Sequence, residues 1–109
     1  MAPLTPAVFH ILLALAPGER HGYGILKDVL EQTSGEVRLG PGTLYGTLQR
    51  LMALGWVEET APKSASADER RRYYRLARPG KRALEAEVER MESLVRTARS
   101  HRIVPRLRG

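Results

Sequence analysis

Apolar residues recur at spacings of three and four through the first half of the chain, which is typical of amphipathic helices. The first helix is predicted to begin at Thr5-Pro6, where a capping hydroxyl precedes a proline, and to end at Pro17-Gly18. A second helix is predicted from about residue 21 to residue 34, and Gly35 follows it as a stop. The apolar positions of the two helices are Val8, Ile11, Leu12, Leu15, Ile25, Leu26, Val29 and Leu30.

A third helix is predicted to begin between Gly40 and Thr43 and to end at Gly55, with an inward stripe of leucines at positions 44, 48 and 51. The pattern then changes to two short extended segments, residues 56–60 and 71–76. The stretch between them, residues 61–70, contains Pro, Ser, Asp and Lys and is predicted to be a loop. Together these segments predict an antiparallel hairpin with a long tip, with Trp56 packed against the core or the hairpin.

The last segment is predicted to be a helix of about 20 residues beginning near residues 78–80, followed by a basic tail from about residue 100. Its apolar residues alternate at spacings of four and three, the pattern of a helix–helix seam. They are Leu84, Val88, Met91, Val95 and Ala98. Either a second copy of the chain or a groove in the same chain could receive this stripe. The fold is therefore predicted to be mainly α with a small β-hairpin: a winged helix-turn-helix domain over residues 1–78 and a long C-terminal dimerisation helix with its tail over residues 79–109.

Composition narrows the function classes. The 109 residues include no cysteine, which excludes a disulfide scaffold, thiolate zinc sites and cysteine catalysis. The apolar stretch at residues 7–16 is too short to span a bilayer, and no basic residue precedes it as in a secretory signal, so a cytoplasmic protein is expected. The three histidines lie far apart, and no nucleophile elbow, phosphate loop or dinucleotide fingerprint is present. We therefore expect no enzyme, no cofactor and no metal site.

The formal net charge of +6 is unevenly distributed, because residues 1–60 net −2 and residues 61–109 net +8. Seven of the thirteen residues at 70–82 are basic and none is acidic, and this run coincides with the predicted hairpin. A basic hairpin beside a recognition helix is the wing that contacts phosphates or the minor groove of DNA. The predicted wing contacts are Lys63, Arg70, Arg71, Arg72 and Tyr73.

The polar side of the third helix carries groups suited to base and phosphate contacts in a major groove. The predicted contacts are Gly42, Thr43, Tyr45, Gly46, Thr47, Gln49 and Arg50. Gln49 is suited to adenine, and Arg50 to guanine or phosphate. A glycine in mid-helix costs about 0.5–1 kcal/mol against alanine, and a close approach of the backbone to phosphate would justify Gly46. The alternative is an amphipathic core helix whose polar side meets only water.

Four segments together resemble the PadR family of transcriptional regulators over about residues 4–90. They are His-Gly-Tyr-Gly-Ile at 21–25, Gly-Thr-Leu-Tyr at 42–45, Leu48 with Arg50-Leu51 and Gly55, and Arg-Arg-Tyr-Tyr-Arg-Leu at 71–76. The resemblance implies a dimeric winged helix repressor on a palindromic operator in double-stranded DNA. It also implies that the Gly-Thr-Leu-Tyr helix enters the major groove and that the first and last helices form the dimer. The corresponding dimerisation residues are Val8, Ile11, Leu12, Leu84, Val88, Met91 and Val95.

The chain departs from the family pattern at three places. Gly46 stands where relatives often have proline, Ala77 stands where a threonine commonly caps the last helix, and the last helix is short. No aromatic residue follows Tyr74, so no stacking surface for a small-molecule effector is expected at the dimer seam. The competing hypothesis is a helical dimerisation or adaptor module that does not bind DNA.

Overall fold

The computed structural model describes residues 3–60 and 72–103. Over these residues the chain forms α1 (Pro6–Leu15), β1 (Arg20–His21), α2 (Gly22–Gln32), α3 (Pro41–Ala53), β2 (Val57–Thr60), β3 (Tyr73–Leu76) and α4 (Arg78–Ser100). The predicted mainly α fold with a small hairpin is confirmed, with one added strand. The predicted loop at 61–70, three predicted wing residues (Lys63, Arg70 and Arg71) and the tail beyond residue 103 lie outside the described residues.

The first two helices begin on side-chain caps. The Thr5 hydroxyl accepts a hydrogen bond from the Val8 N–H at 3.3 Å, as its position before a proline predicts. At the start of α2, His21 Nδ1 accepts the Gly24 N–H at 3.0 Å, so a histidine caps this helix. Each cap satisfies a backbone donor that the first turn of a helix leaves without a partner.

The core lies between the three N-terminal helices, the sheet and the first turns of α4. Its members are Ile11, Leu12, Ala14, Leu15, Ile25, Val29, Leu44, Leu48, Leu51, Val57, Tyr74 and Leu84. The predicted inward stripe of α3 is confirmed, because Leu44, Leu48 and Leu51 are all buried. Burial of this stripe fixes α3 on the body and leaves its opposite side to solvent.

The sheet has three antiparallel strands in the order β1-β3-β2, one more than the predicted hairpin. In β1, Arg20 pairs with Tyr74, and on the other side of β3 Glu58 pairs with Arg75. The sequence predicts only the start of a helix at about residue 21, because a strand of two residues carries no alternating pattern. The added strand ties the start of α2 to the wing.

A close joint connects α3, the hairpin and α4. Gly55 has a φ of 76°, which suits glycine, and the Trp56 N–H then donates to the Leu51 carbonyl at 2.9 Å. The Trp56 carbonyl in turn accepts the Ala77 N–H at 2.9 Å. Gly80 lies directly against that carbonyl, so a Cβ at this position would overlap it. The backbone contact, rather than a capping side chain, positions the start of α4.

Two residues predicted at the dimer interface lie in the core instead. Ile11 and Leu12 are completely buried, because α1 packs against α2, α3, α4 and β3 at once. Neither side chain retains surface for a second protomer, so both are reassigned to the core. Val8 is only partly buried, against the same cluster.

The apolar stripe of α4 is divided between the chain's own core and solvent. In the first half of the helix, Leu84 is buried and Val88 packs against the core. Farther along the 23-residue helix, Leu94 and Val95 are 55% and 45% exposed. The groove in the same chain therefore receives the first half of the stripe, and the second half stays open.

The first half of α4 also buries a carboxylate. Glu87 is 5% exposed, and Arg90 donates two hydrogen bonds to it, at 2.9 and 2.6 Å. These bonds, helped by the Leu4 N–H, hold the pKa of Glu87 below its ordinary value against the opposing effect of burial. A carboxyl whose pKa is lowered by folding stabilises the fold above its unfolded pKa, and that contribution is lost as the pH falls through the folded pKa.

The Glu87→Gln variant is accordingly expected to have a Tm a few degrees below that of the natural chain at pH 7. The difference should shrink as the pH is lowered from 5 towards 3, because the natural side chain then loses its charge as well. Thermal unfolding followed by circular dichroism at one protein concentration measures this, with Glu89→Gln, an exposed position on the same helix, as the control. A difference in Tm that does not change with pH would contradict the charged role of Glu87.

Candidate nucleic-acid interface

The solvent side of α3 brings together six of the seven residues predicted there, and we call this set the recognition face. Its members are Gly42, Thr43, Tyr45, Gly46, Gln49 and Arg50. A Cβ at Gly46 would meet nothing closer than Arg50 Nη1, 4.0 Å away. Internal packing therefore does not require a glycine at this position, which leaves open space for a close approach from outside.

Thr47 does not belong to the recognition face. Its side chain is 1% exposed, and its hydroxyl accepts a hydrogen bond from Arg50 Nη2 at 3.1 Å. Spacing explains the difference, because Thr47 lies three residues after Leu44 on the side of the helix that packs inward. The predicted DNA contact of Thr47 is thus corrected: the residue is buried and orients Arg50.

The start of α2 lies beside the recognition face and adds aromatic residues that were not among the predicted site. Tyr45 is 43% exposed, and its phenol packs on Gly22, where a Cβ would overlap it. Tyr23 is 68% exposed and stacks on His21 with ring centroids 6.3 Å apart. His21 also meets Tyr73 edge-on at 5.5 Å, which anchors this predicted wing residue. The sequence signal that could have identified Tyr23 is its position as an aromatic residue on the polar side of α2.

Acidic residues of β2 face Arg75 of β3 and Arg72, which directly precedes that strand. Arg75 donates to the Glu58 carboxylate from Nε at 3.0 Å and from Nη2 at 2.8 Å. Arg72 Nε lies 3.8 Å from a Glu59 oxygen, and most of the Arg72 side chain is exposed. The basic run is therefore partly neutralised in the described part of the wing, and Arg72 is less tightly paired there than Arg75.

Tyr74 of β3 is buried between Arg72 of the wing and Tyr45 of the recognition face. Burial raises the pKa of its phenol, and the Glu59 carboxylate and the Tyr45 phenol raise it further, whereas Arg72 acts in the opposite direction. The Tyr74 hydroxyl accordingly stays protonated at neutral pH and remains a neutral hydrogen-bonding group beside Arg72.

Metal-binding clusters and membrane-spanning helices are both absent from the described residues, 3–60 and 72–103. No three His, Asp or Glu side chains in these ranges are placed to hold a metal ion. No helix in the same ranges has the length and apolar character needed to cross a membrane. His10 is half-buried with its ring edge-on to Phe9, and its Nδ1 has no hydrogen-bond partner among the described residues.

Comparison with known proteins identifies a family for this fold and interface. The model of the transcriptional regulator PadR-like family matches residues 11–86. A relative of Streptomyces fradiae, the uncharacterized 37.1 kDa protein in transposon TN4556, is 43% identical over 84 residues. The match covers 77% of this chain and 22% of that protein, so the chain spans about a fifth of the length of this relative.

Two solved structures share the fold. A PadR family transcription regulator from Clostridium difficile R20291 superposes with a TM-score of 0.74 at 24% identity, covering 89% of this chain and 98% of that one. Bacillus subtilis PadR in complex with operator DNA gives a TM-score of 0.68 at 22% identity, covering 80% and 48%. Because the family model extends from α1 into α4 and so spans well over half of the sequence, the chain belongs to the PadR-like family of transcriptional regulators, which are DNA-binding proteins and not enzymes.

Proposed function

We propose that the chain represses transcription in the cytoplasm as a homodimer bound to a palindromic operator. The recognition face carries this proposal, because small and polar residues lie side by side on a helix whose opposite side is fixed in the core. A helix held in this way can enter the major groove as a rigid unit. Tyr45, Gln49 and Arg50 supply hydrogen-bonding groups for bases and phosphates.

The second half of α4 supplies the dimer contact in this proposal. Leu94 and Val95 are exposed, and Met91 is half-buried beside them, whereas Val88 already packs on the chain's own core. Residues 1–78 would then contact DNA, and residues 79–109 would dimerise. Two-fold symmetry places the recognition helices one DNA turn apart, about 34 Å. The complex of Bacillus subtilis PadR with operator DNA supports duplex DNA as the partner.

Alanine at Gln49 or Arg50 is expected to cost about 1–3 kcal/mol of operator binding where the side chain contacts a base, with little change on random duplex. The operator is first obtained by selecting bound fragments from genomic DNA, and affinities are then measured by fluorescence anisotropy. Gln32→Ala on α2 and Arg96→Ala on α4 are matched controls, since both residues are exposed away from the recognition face. Equal losses on operator and random duplex would assign the residue to a phosphate.

The same titrations at several salt concentrations test the phosphate contacts. If each subunit neutralises three or four phosphates, log K should fall against log salt with a slope of about −5 to −7. A slope near zero would contradict this mechanism. Absence of binding to any duplex at low salt would favour the adaptor module instead.

A further inference from the structure

The guanidinium of Arg50 has a single hydrogen-bond partner among the described residues, the hydroxyl of Thr47. Arg50 Nη2 donates to Thr47 Oγ1 at 3.1 Å. The Arg50 side chain therefore lies back along α3, over the turn that precedes it. Its other terminal nitrogen, Nη1, is 4.0 Å from the place where a Cβ at Gly46 would stand. One contact thus determines the direction of the only charged group on the recognition face.

The two partners of this hydrogen bond differ in burial. Arg50 is exposed, so its donors can bond to water whenever the bond to Thr47 breaks. Thr47 lies on the buried side of α3 with the leucine stripe, where a valine of the same shape would also fit. Packing of α3 on the core therefore does not require the hydroxyl. What the hydroxyl changes is the orientation of the guanidinium.

Orientation matters more for reading a base than for binding a phosphate. An arginine recognises guanine through two N–H donors directed at O6 and N7, which lie in the plane of the base. A phosphate offers acceptor oxygens in several directions, so a mobile guanidinium can still bind it. The guanidinium of Arg50 has five N–H donors, and the bond to Thr47 leaves four of them for DNA. A side chain that is already held also loses less conformational entropy when it binds.

We propose that Thr47 is a positioning residue that sets the base preference of Arg50 without contacting DNA itself. Its buried hydroxyl holds the guanidinium in the orientation in which two donors meet a guanine in the major groove. This inference rests on the proposed function, because it concerns which base pair the recognition face selects. Removal of the hydroxyl is therefore expected to lower sequence discrimination more than it lowers affinity for DNA in general.

The orientation is tested first in the DNA-free protein by ¹⁵N relaxation of the Arg50 Nε–H group. Its motion is expected to be more restricted than that of Arg96, which is exposed on α4. Thr47→Val should bring Arg50 to the mobility of Arg96, because valine cannot accept the hydrogen bond. Thr47→Ser should keep Arg50 restricted, since serine retains the hydroxyl. Equal mobility of Arg50 in the natural chain and in Thr47→Val would overturn the proposal.

The base preference is tested on the selected operator, on duplexes in which each of its base pairs is substituted in turn, and on random duplex. Arg50→Ala identifies the base pair that Arg50 reads, as the one where discrimination of about tenfold or more is lost. At this base pair Thr47→Val is expected to lower discrimination by about two- to tenfold, and Thr47→Ser by less than about twofold. The affinity of Thr47→Val for random duplex should fall by a smaller factor, because phosphate contacts do not require a fixed guanidinium.

A double variant separates positioning from a general structural effect. If Thr47 acts through Arg50, Thr47→Val should change discrimination no further when it is combined with Arg50→Ala. Thr97→Val is the matched control, because it removes a hydroxyl from α4, away from the recognition face, and every affinity should stay within about twofold. Urea unfolding verifies that each variant is folded.

Three binding results would overturn the role of Thr47. They are unchanged discrimination in Thr47→Val, an equal loss of its affinity for operator and random duplex, and an Arg50→Ala variant that keeps every base preference. The chain would still bind DNA in each of these cases, so the proposed function would stand. Absence of binding to any duplex would contradict the proposed function and, with it, this role of Thr47.

Discussion

Replacing Leu94 and Val95 together with glutamate is expected to convert a dimer into a monomer at micromolar concentration and to weaken operator binding by about 100-fold or more. Both side chains lie on the half of α4 that does not pack on the chain's own core. Two carboxylates in an apolar seam would lose hydration without gaining partners, whereas in a monomer they remain in water. Each protomer should keep its fold, and operator affinity falls because the two half-sites are no longer bound together.

Size-exclusion chromatography with light scattering measures the mass, and circular dichroism verifies the fold. Ser93→Glu with Ser100→Glu is the matched control, because it adds the same charge on the opposite side of α4. A dimer that persists in the Leu94 and Val95 variant would contradict the α4 seam and direct attention to α1 near Val8. A monomer that binds the operator with full affinity would contradict the two-fold arrangement on DNA.

Gly80→Ala is expected to destabilise the fold by about 1–3 kcal/mol, although alanine is the better helix former by about 0.5–1 kcal/mol. The new Cβ would overlap the Trp56 carbonyl, which already accepts the Ala77 N–H. A backbone carbonyl cannot rotate away as a side chain can. Either the start of α4 or the base of the hairpin must therefore move, with loss of the hydrogen bond between them.

Gly46→Ala is the matched control, because it places the same methyl group on another helix, where the Cβ enters open space. It is expected to stabilise the fold by about 0.5–1 kcal/mol and to weaken DNA binding, since the methyl group would stand between α3 and a phosphate. Urea unfolding at one protein concentration gives both free energies of unfolding. Equal effects of the two substitutions would contradict the close contact at Gly80.

Elements with local signals could be predicted from the sequence. The cap at Thr5, the stop at Gly55 and the leucine stripe of α3 all depend on neighbours within a few positions, and each lies where the sequence indicates. β1 could not be predicted, because its two residues form a strand only through hydrogen bonds to β3, far along the chain. Its partner strand matters more than its own residue types.

The candidate interface was less accessible to sequence analysis. The polar hydroxyl of Thr47 predicts an outward position, although helical spacing places the residue inward. There the hydroxyl accepts a hydrogen bond from Arg50. Apolar spacing showed that Ile11 is buried but not which surface covers it. The ion pair between Arg75 and Glu58 depends on the register of β2 against β3. The number of charged residues does not reveal this register.

From the strand order β1-β3-β2 we also expect a particular order in which the folding chain acquires its proposed DNA-contact surface. β2 and β3 are consecutive along the chain, whereas β1 meets β3 only when positions 20 and 74 come together. We expect the pairing of distant segments to follow that of consecutive ones, because closing the longer loop has the higher entropic cost. The proposed DNA-contact surface includes Tyr23, which follows β1, and Arg72, which precedes β3. It is therefore complete only when these two strands have paired. In refolding experiments we therefore expect the helical circular dichroism signal to return before DNA binding does. A partly folded chain is then helical but does not bind DNA.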